Sequence, residues 1–187
     1  MKLTSLTNIN AMRLNPNWLR VGILPYCIHN NKIYLLLGIY QVSSNKFEIC
    51  ALSGGYKRTI EDIEDGAFRE FNEETEEFFS SYEKQIKQDI QKSPIIYSTG
   101  KNGVDRILFL LNITDYINKY DLSKLKEAFK SHFKNKTNTE LYGIDLFDIK
   151  PFVNGYCPID TYKDLVSFMK KNNIYKNGNL ETYIRRL

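Results

Sequence analysis

The chain predicts an α/β fold, an α/β/α sandwich in which helices cover a mixed sheet. Three observations carry that expectation. Strand-like runs lie both before and after one strongly amphipathic helix, turn signals separate the runs, and further helical patterns follow that can pack outside a sheet. With 187 residues and 42% hydrophobic content the chain can bury one sizeable core, so a single domain spanning 1–187 is the simplest organisation.

The elements follow in order. Residues 20–28 and 32–40 are β-rich and joined by His29, Asn30 and Asn31, a hairpin signature. Residues 47–52 form a third strand that delivers the chain into Ser53-Gly54-Gly55, where glycine lets backbone approach an anion or metal closely. A long helix begins near Asp62, a candidate N-cap with Asp65 three residues on, and it and its extension reach about Gln91. Residues 95–99 and 106–113 read as a strand pair around Gly100-Lys101-Asn102-Gly103. A helix over 122–133, a strand over 142–149 and a helix over 162–171 complete the set.

The long helix divides into two faces. Ile63, Ala67, Phe68, Phe71, Phe78 and Phe79 lie at helical spacings and can bury one side against a sheet. Glu70, Glu73, Glu74 and Glu77 fall on one narrow stripe of the other side, because positions three, four and seven apart are neighbours. Like charges so placed cost an isolated helix a few tenths of a kcal/mol per pair, so a cation over the stripe explains them better than solvent alone. Oxygen-only ligands suit a hard divalent ion such as magnesium, which is commonly shared between carboxylates and phosphates. The segment holds no His or Cys, which argues against zinc. The bland reading of any acidic run is a solvated surface. It is outweighed by the spacing, in which Gly55, Glu61, Arg69-Glu70 and Glu73-Glu74 coincide around the apolar Phe71.

The stretch Gly55 to Glu77, GYKRTIEDIEDGAFREFNEETEE, resembles the signature box of the Nudix hydrolases. That resemblance implies a Nudix-type sandwich and cleavage of a nucleoside diphosphate linked to another group, with Mg2+ or Mn2+ as cofactor. It carries Glu70, Glu73 and Glu74 over as metal ligands, with the Gly55 carbonyl as a further one. It makes Gly54, Glu61 and Arg69 structural members of the box, Arg69 tying the helix to Glu61 or another carboxylate. The general base in this family is a box glutamate, here Glu70 or Glu74, or one from a later loop, where Glu140 is the candidate. The chain departs from the family at Glu76, a position normally held by glycine, and at Glu77, normally aliphatic. Glycine there ends the helix, so its absence predicts a helix running on through Phe78 and Phe79 towards Tyr82.

Charge is unevenly shared. Of 26 basic and 22 acidic residues, the segment 61–77 takes one and nine, leaving 25 and 13 elsewhere, so the segment carries −8 and the remainder +12. Such a field draws polyanions, although Lys-rich usage from an AT-rich genome accounts for it equally well. Lys57, Arg58, Lys101 and Arg106 are candidates for holding phosphates, and Tyr56 and Tyr97 for stacking on a base, each weighed against plain surface or core. His29 and His132 make poor general bases at a turn and near a helix end. Cys27, Cys50 and Cys157 read as reduced core residues. The opening MKLTSLTNIN lacks the apolar run of a signal peptide and no segment approaches a membrane span, so a cytoplasmic protein with no membrane partner is expected.

The run AFREFNEET with the later STGKNGVDRILFLLNI is similar to mRNA-decapping and diphosphoinositol-polyphosphate Nudix enzymes of large DNA viruses and their cellular relatives. It implies capped RNA or a phosphorylated small molecule as substrate, and a virus-encoded protein acting in host cytoplasm. About fifty residues before the box leave no room for the N-terminal RNA-binding insertion of the viral decapping enzymes. A housecleaning hydrolase of free nucleotides, ADP-ribose or dinucleoside polyphosphates is the alternative, and a binding-only domain a third reading that the three retained glutamates disfavour. Many members of the family pair, so a homodimer is among the expectations.

Overall fold

The computed structural model describes residues 3–12, 14, 19–44, 46–57, 60–100, 103–134, 141–150 and 179–186. Its class is α/β, as expected. The strands are β1 (Leu3–Thr4), β2 (Arg20–His29), β3 (Lys32–Ser43), β4 (Lys46–Cys50), β5 (Leu52–Gly55), β6 (Ile95–Gly100), β7 (Gly103–Asn112) and β8 (Gly143–Asp148). The helices are α1 (Leu6–Asn10), α2 (Ile63–Glu74), α3 (Glu83–Lys92), α4 (Thr114–Ile117), α5 (Leu122–Lys134) and α6 (Asn179–Ile184). The helix expected over 162–171 and Cys157 lie outside the described residues.

Contacts group the chain into two compact units. One is built from Lys2–Pro25 and Ala51–Asn112, and in it the strands run β1-β6-β7-β2, with β5 pairing β2. The β1–β6, β6–β7 and β2–β5 ladders are antiparallel, and Leu14 makes a parallel bridge to Val104. Residues 107–111 of β7 are all buried, as are residues 21–25 of β2, so both strands are covered on both faces and read as unbroken apolar runs. Helix α2 packs on β5 and α3, and α3 on β7. Phe71 and Phe79, each fully buried, meet at 5.2 Å between ring centroids.

The other unit holds Tyr26–Cys50 and the chain from Ile113 onward. The end of β2 pairs with β3 through a two-residue turn, His29 opposite Lys32, with Asn30 and Asn31 at φ 48° and 59°. Two consecutive left-handed residues make a type I′ hairpin, and asparagine tolerates that region best after glycine. Arg185 beyond α6 clips the turn, its guanidinium donating to Asn31 Oδ1 at 2.9 Å and to the Asn31 carbonyl at 3.0 Å. β3 also pairs with β4 and β8, and α5 lays Leu125, Phe129 and Phe133 against β8.

One expectation is corrected. The helix does not run on towards Tyr82: α2 stops at Glu74, Ser80–Tyr82 is a 3₁₀ turn, and α3 starts afresh at Glu83. The Glu77 amide donates to the Asn72 carbonyl at 2.8 Å and the Glu76 amide to Glu73 at 3.0 Å, the paired bonds of a Schellman ending. Glu76 and Glu77 take the left-handed conformation themselves, at φ 52° and 63°. Burying Phe79 against Phe71 requires the chain to turn there, and that packing overrides the local cost of about 1–2 kcal/mol per left-handed residue. Asp62 holds the N-cap position by backbone alone, with no side-chain capping bond, while Glu64 and Asp65 supply first-turn charge.

Candidate active site

All described members of the box lie in one unit, where β5, the following loop and α2 meet. The pairing of β5 with β2 sets Gly54 opposite Val21 and Gly55 opposite Arg20. From Gly55 the loop is pinned at several points: Tyr56 N donates to the Leu19 carbonyl at 3.0 Å, the Tyr56 hydroxyl to the Glu61 carbonyl at 3.0 Å, and Lys57 N to Glu61 Oε1 at 2.7 Å. Glu61 therefore faces back into its own loop.

Arg69, on the second turn of α2, is the hub. Its Nε and Nη2 form a fork on Glu61 at 2.9 Å each, the planar pairing that guanidinium makes with carboxylate. Nη1 donates to Glu70 Oε1 at 2.6 Å and to Glu73 Oε2 at 3.2 Å, and Nη2 also reaches the Gly55 carbonyl at 2.9 Å. Glu70 Oε1, Glu73 Oε2 and the Gly55 oxygen thus converge on one guanidinium. Glu70 is buried, and burial raises its pKa, while the hydrogen bond and charge of Arg69 oppose the rise. Glu61 is shifted the other way, held below the usual carboxylate range by the Arg69 hydrogen bonds. Its partners in turn keep Arg69 firmly protonated.

Gly54 leaves the space that the Glu70 carboxylate fills. A Cβ there would overlap the Glu70 carboxylate, which lies flat against the backbone of β5. The missing side chain is what lets Glu70 fold inward beside Arg69.

Glu74 closes α2 and turns Oε2 inward, shut off from solvent. Glu77 lies past the helix end and does not share the stripe formed by Glu70, Glu73 and Glu74. Among the described residues, no three His, Cys, Asp or Glu side chains stand together as a ready metal cluster. The donors nevertheless suit a hard divalent cation: all are oxygens, and Arg69 engages one oxygen each of Glu70 and Glu73, leaving Glu70 Oε2 and Glu73 Oε1 outside those bonds.

The substrate-side candidates fare unevenly. Lys57 is exposed on the pinned loop. Arg106 is half-buried on β7 opposite Ser98. Tyr97 is buried on β6, 9% exposed, opposite Ile107 of β7. The Tyr56 hydroxyl is committed to the loop. Arg58, Lys101 and Glu140 lie outside the described residues. Arg20 was not foreseen: its Nη2 donates to the Ser53 carbonyl at 2.6 Å, and its charge favours the ionised form of Glu70. Only the β2–β5 register brings it there, and an arginine opening a strand carries no such signal in sequence.

No known family profile matches the chain. No curated protein matches it either. The solved structures similar to this chain include the following two. One is the C. elegans Ap4A hydrolase in a binary complex, 16% identical, covering 83% of this chain and 95% of its own, with a TM-score of 0.41. The other is the NUDIX domain of Shewanella oneidensis NrtR complexed with ADP ribose, 9% identical, covering 89% and 97%, with a TM-score of 0.40.

Proposed function

We propose that the protein is a metal-dependent Nudix hydrolase that cleaves a pyrophosphate linkage in a nucleoside diphosphate joined to another group. The observation that carries this reading is the convergence of Glu70, Glu73 and the Gly55 carbonyl on a single cationic point, with Glu61 holding that point to the loop. Glu70, Glu73, Glu74 and the Gly55 carbonyl would hold Mg2+ or Mn2+. Bound there, the ion would neutralise phosphate charge and make a water more acidic.

The chain's own residues supply the rest. Arg69 spaces the carboxylates and keeps Glu70 and Glu73 from repelling each other apart. Gly54 admits the Glu70 carboxylate against the β5 backbone. Glu74, with Glu70 and Glu140 as the other candidates, takes the proton of the attacking water as it adds to one phosphorus. The bridging oxygen then leaves with the second phosphate, giving two phosphate-bearing products. Lys57, Arg58, Lys101 and Arg106 are the side chains proposed to meet the substrate's phosphates.

Capped RNA or a diphosphoinositol polyphosphate is the leading substrate class, supported by the net +12 outside the acidic segment. Free nucleotides, ADP-ribose and dinucleoside polyphosphates form the second. The test is product release from a panel of capped RNA, inositol pyrophosphate, ADP-ribose, NADH and dinucleoside polyphosphates with Mg2+ or Mn2+, comparing wild type with Glu74→Gln. Wild type should turn over at least one of them, and the variant should be slower by roughly 100-fold or more. Equal turnover by the two removes the assignment, and no turnover of any substrate favours a binding-only domain.

A further inference from the structure

Away from the box, the unit holding β3, β8 and α5 carries a groove of about 540 Å³ that the proposed hydrolysis does not use. Its floor is apolar, formed by Ile39, Phe129, Phe133 and Ile144. One wall is a row of lysines on α5: Lys126, Lys130 and Lys134, four residues apart. At 1.5 Å per residue they stand about 6 Å apart along the axis on nearly one face. The other wall ends in Tyr142, 63% exposed, its ring 4.8 Å from that of Phe47.

Among the described residues the charge does not cancel locally. Lys126 pairs with Asp145 at 3.2 Å and Lys130 with Glu127 at 3.1 Å, the latter pair 73% exposed on both sides and so worth little. Three lysines face one groove carboxylate, Asp145. An exposed aromatic backed by a second ring, beside a regular row of ammonium groups, is the combination that binds single-stranded nucleic acid: lysines follow successive phosphates while a base stacks on the ring. An acidic peptide would use the lysines but leave the tyrosine face unused. A bilayer would require a broader apolar surface than one tyrosine.

We infer that this groove binds a short single strand of nucleic acid, with Lys130 and Lys134 on consecutive phosphates and Tyr142 under a base. The inference does not depend on the hydrolase reading, because binding can be measured without divalent cations.

The experiment is fluorescence anisotropy of labelled twelve-residue oligo-U RNA and oligo-dT DNA with the full chain in EDTA, over a salt series. Two to three phosphate contacts predict a log–log salt slope of roughly −1.4 to −2 for wild type. Lys130→Ala/Lys134→Ala should weaken binding by about 10-fold or more and flatten the slope by about 1.4. Tyr142→Ala should weaken it by about 10-fold with the slope unchanged. Glu74→Gln should bind like wild type, and the lysine variant should keep wild-type hydrolysis of small substrates. Circular dichroism melts check folding, with Lys130→Gln/Lys134→Gln as the substitute pair. Preference for one oligonucleotide identifies the sugar recognised. Failure to bind either, unchanged binding by the lysine variant, displacement by an equal concentration of polyglutamate, or tighter association with phosphatidylserine vesicles would each overturn the inference.

Discussion

Replacing Arg69 with Met removes one cation and leaves its carboxylates facing one another. In the folded protein Arg69 makes five hydrogen bonds of 2.6–3.2 Å to Glu61, Glu70, Glu73 and the Gly55 carbonyl. The Glu61 and Glu70 side chains are only 9% and 11% exposed, so water cannot replace the lost charge cheaply, whereas Glu73 at 58% can rehydrate. Removing one partner of a buried ion pair costs about 3–5 kcal/mol, and because Arg69 itself is 22% exposed the lower end applies, about 3 kcal/mol. For a chain of this size each kcal/mol moves Tm by about 2–4 °C, so a fall of roughly 6–12 °C is expected. Urea denaturation in EDTA should show the loss as a lower midpoint with unchanged slope. Arg69→Lys should recover less than half, because ammonium keeps the charge but cannot fork onto Glu61. A double-mutant cycle with Glu61→Gln should return a coupling of about 1 kcal/mol or more. If Arg69→Met unfolds within about 0.5 kcal/mol of wild type, the hub described above does not hold the loop to the helix.

Other outcomes can be checked with simple variants. Glu76→Gly should stabilise the protein by about 1 kcal/mol, read as a higher urea midpoint, because glycine adopts the φ of 52° without strain. Gly54→Ala should displace the Glu70 carboxylate and weaken Mn2+ binding by calorimetry, at an overpacking cost of about 1–3 kcal/mol. Burial pushes the Cys27 thiol from an ordinary 9.0 up to about 12. Its folded pKa is the higher one, so the stability tied to the neutral thiol is complete below pH 9 and disappears as pH rises from 9 to 12. In a Cys50→Ser/Cys157→Ser background, native Cys27 should therefore react slowly with a disulfide reagent at pH 8 and rapidly once unfolded.

What was legible in sequence was whatever a short window contains. The strands at 20–28 and 32–40, the helix at 122–133 and the apolar face of α2 all declare themselves by period and turn residues, and each is in the fold within a few residues. The neighbourhood of Arg69 was foreshadowed by spacing on one helix. Other features depended on distant partners. Leu52–Gly55 is a strand distinct from Lys46–Cys50 because it pairs with β2, a choice made thirty residues away. Arg20 enters the site through that same pairing. The break after Glu74 is not legible in sequence because glutamate is a poor residue for a left-handed ending, and only the packing of Phe79 on Phe71 reveals why the chain turns.

The early stop of α2 has an electrostatic consequence. Backbone dipoles leave partial negative charge at a helix's carboxyl end, where basic side chains are usually favourable, yet the last turn of α2 holds Glu73 and Glu74 and no basic residue. Native folding therefore retains a local frustration that a bound cation would relieve. Amides near residues 72–75 should exchange hydrogen faster than those near 66–70, and slow down selectively when Mg2+ is added.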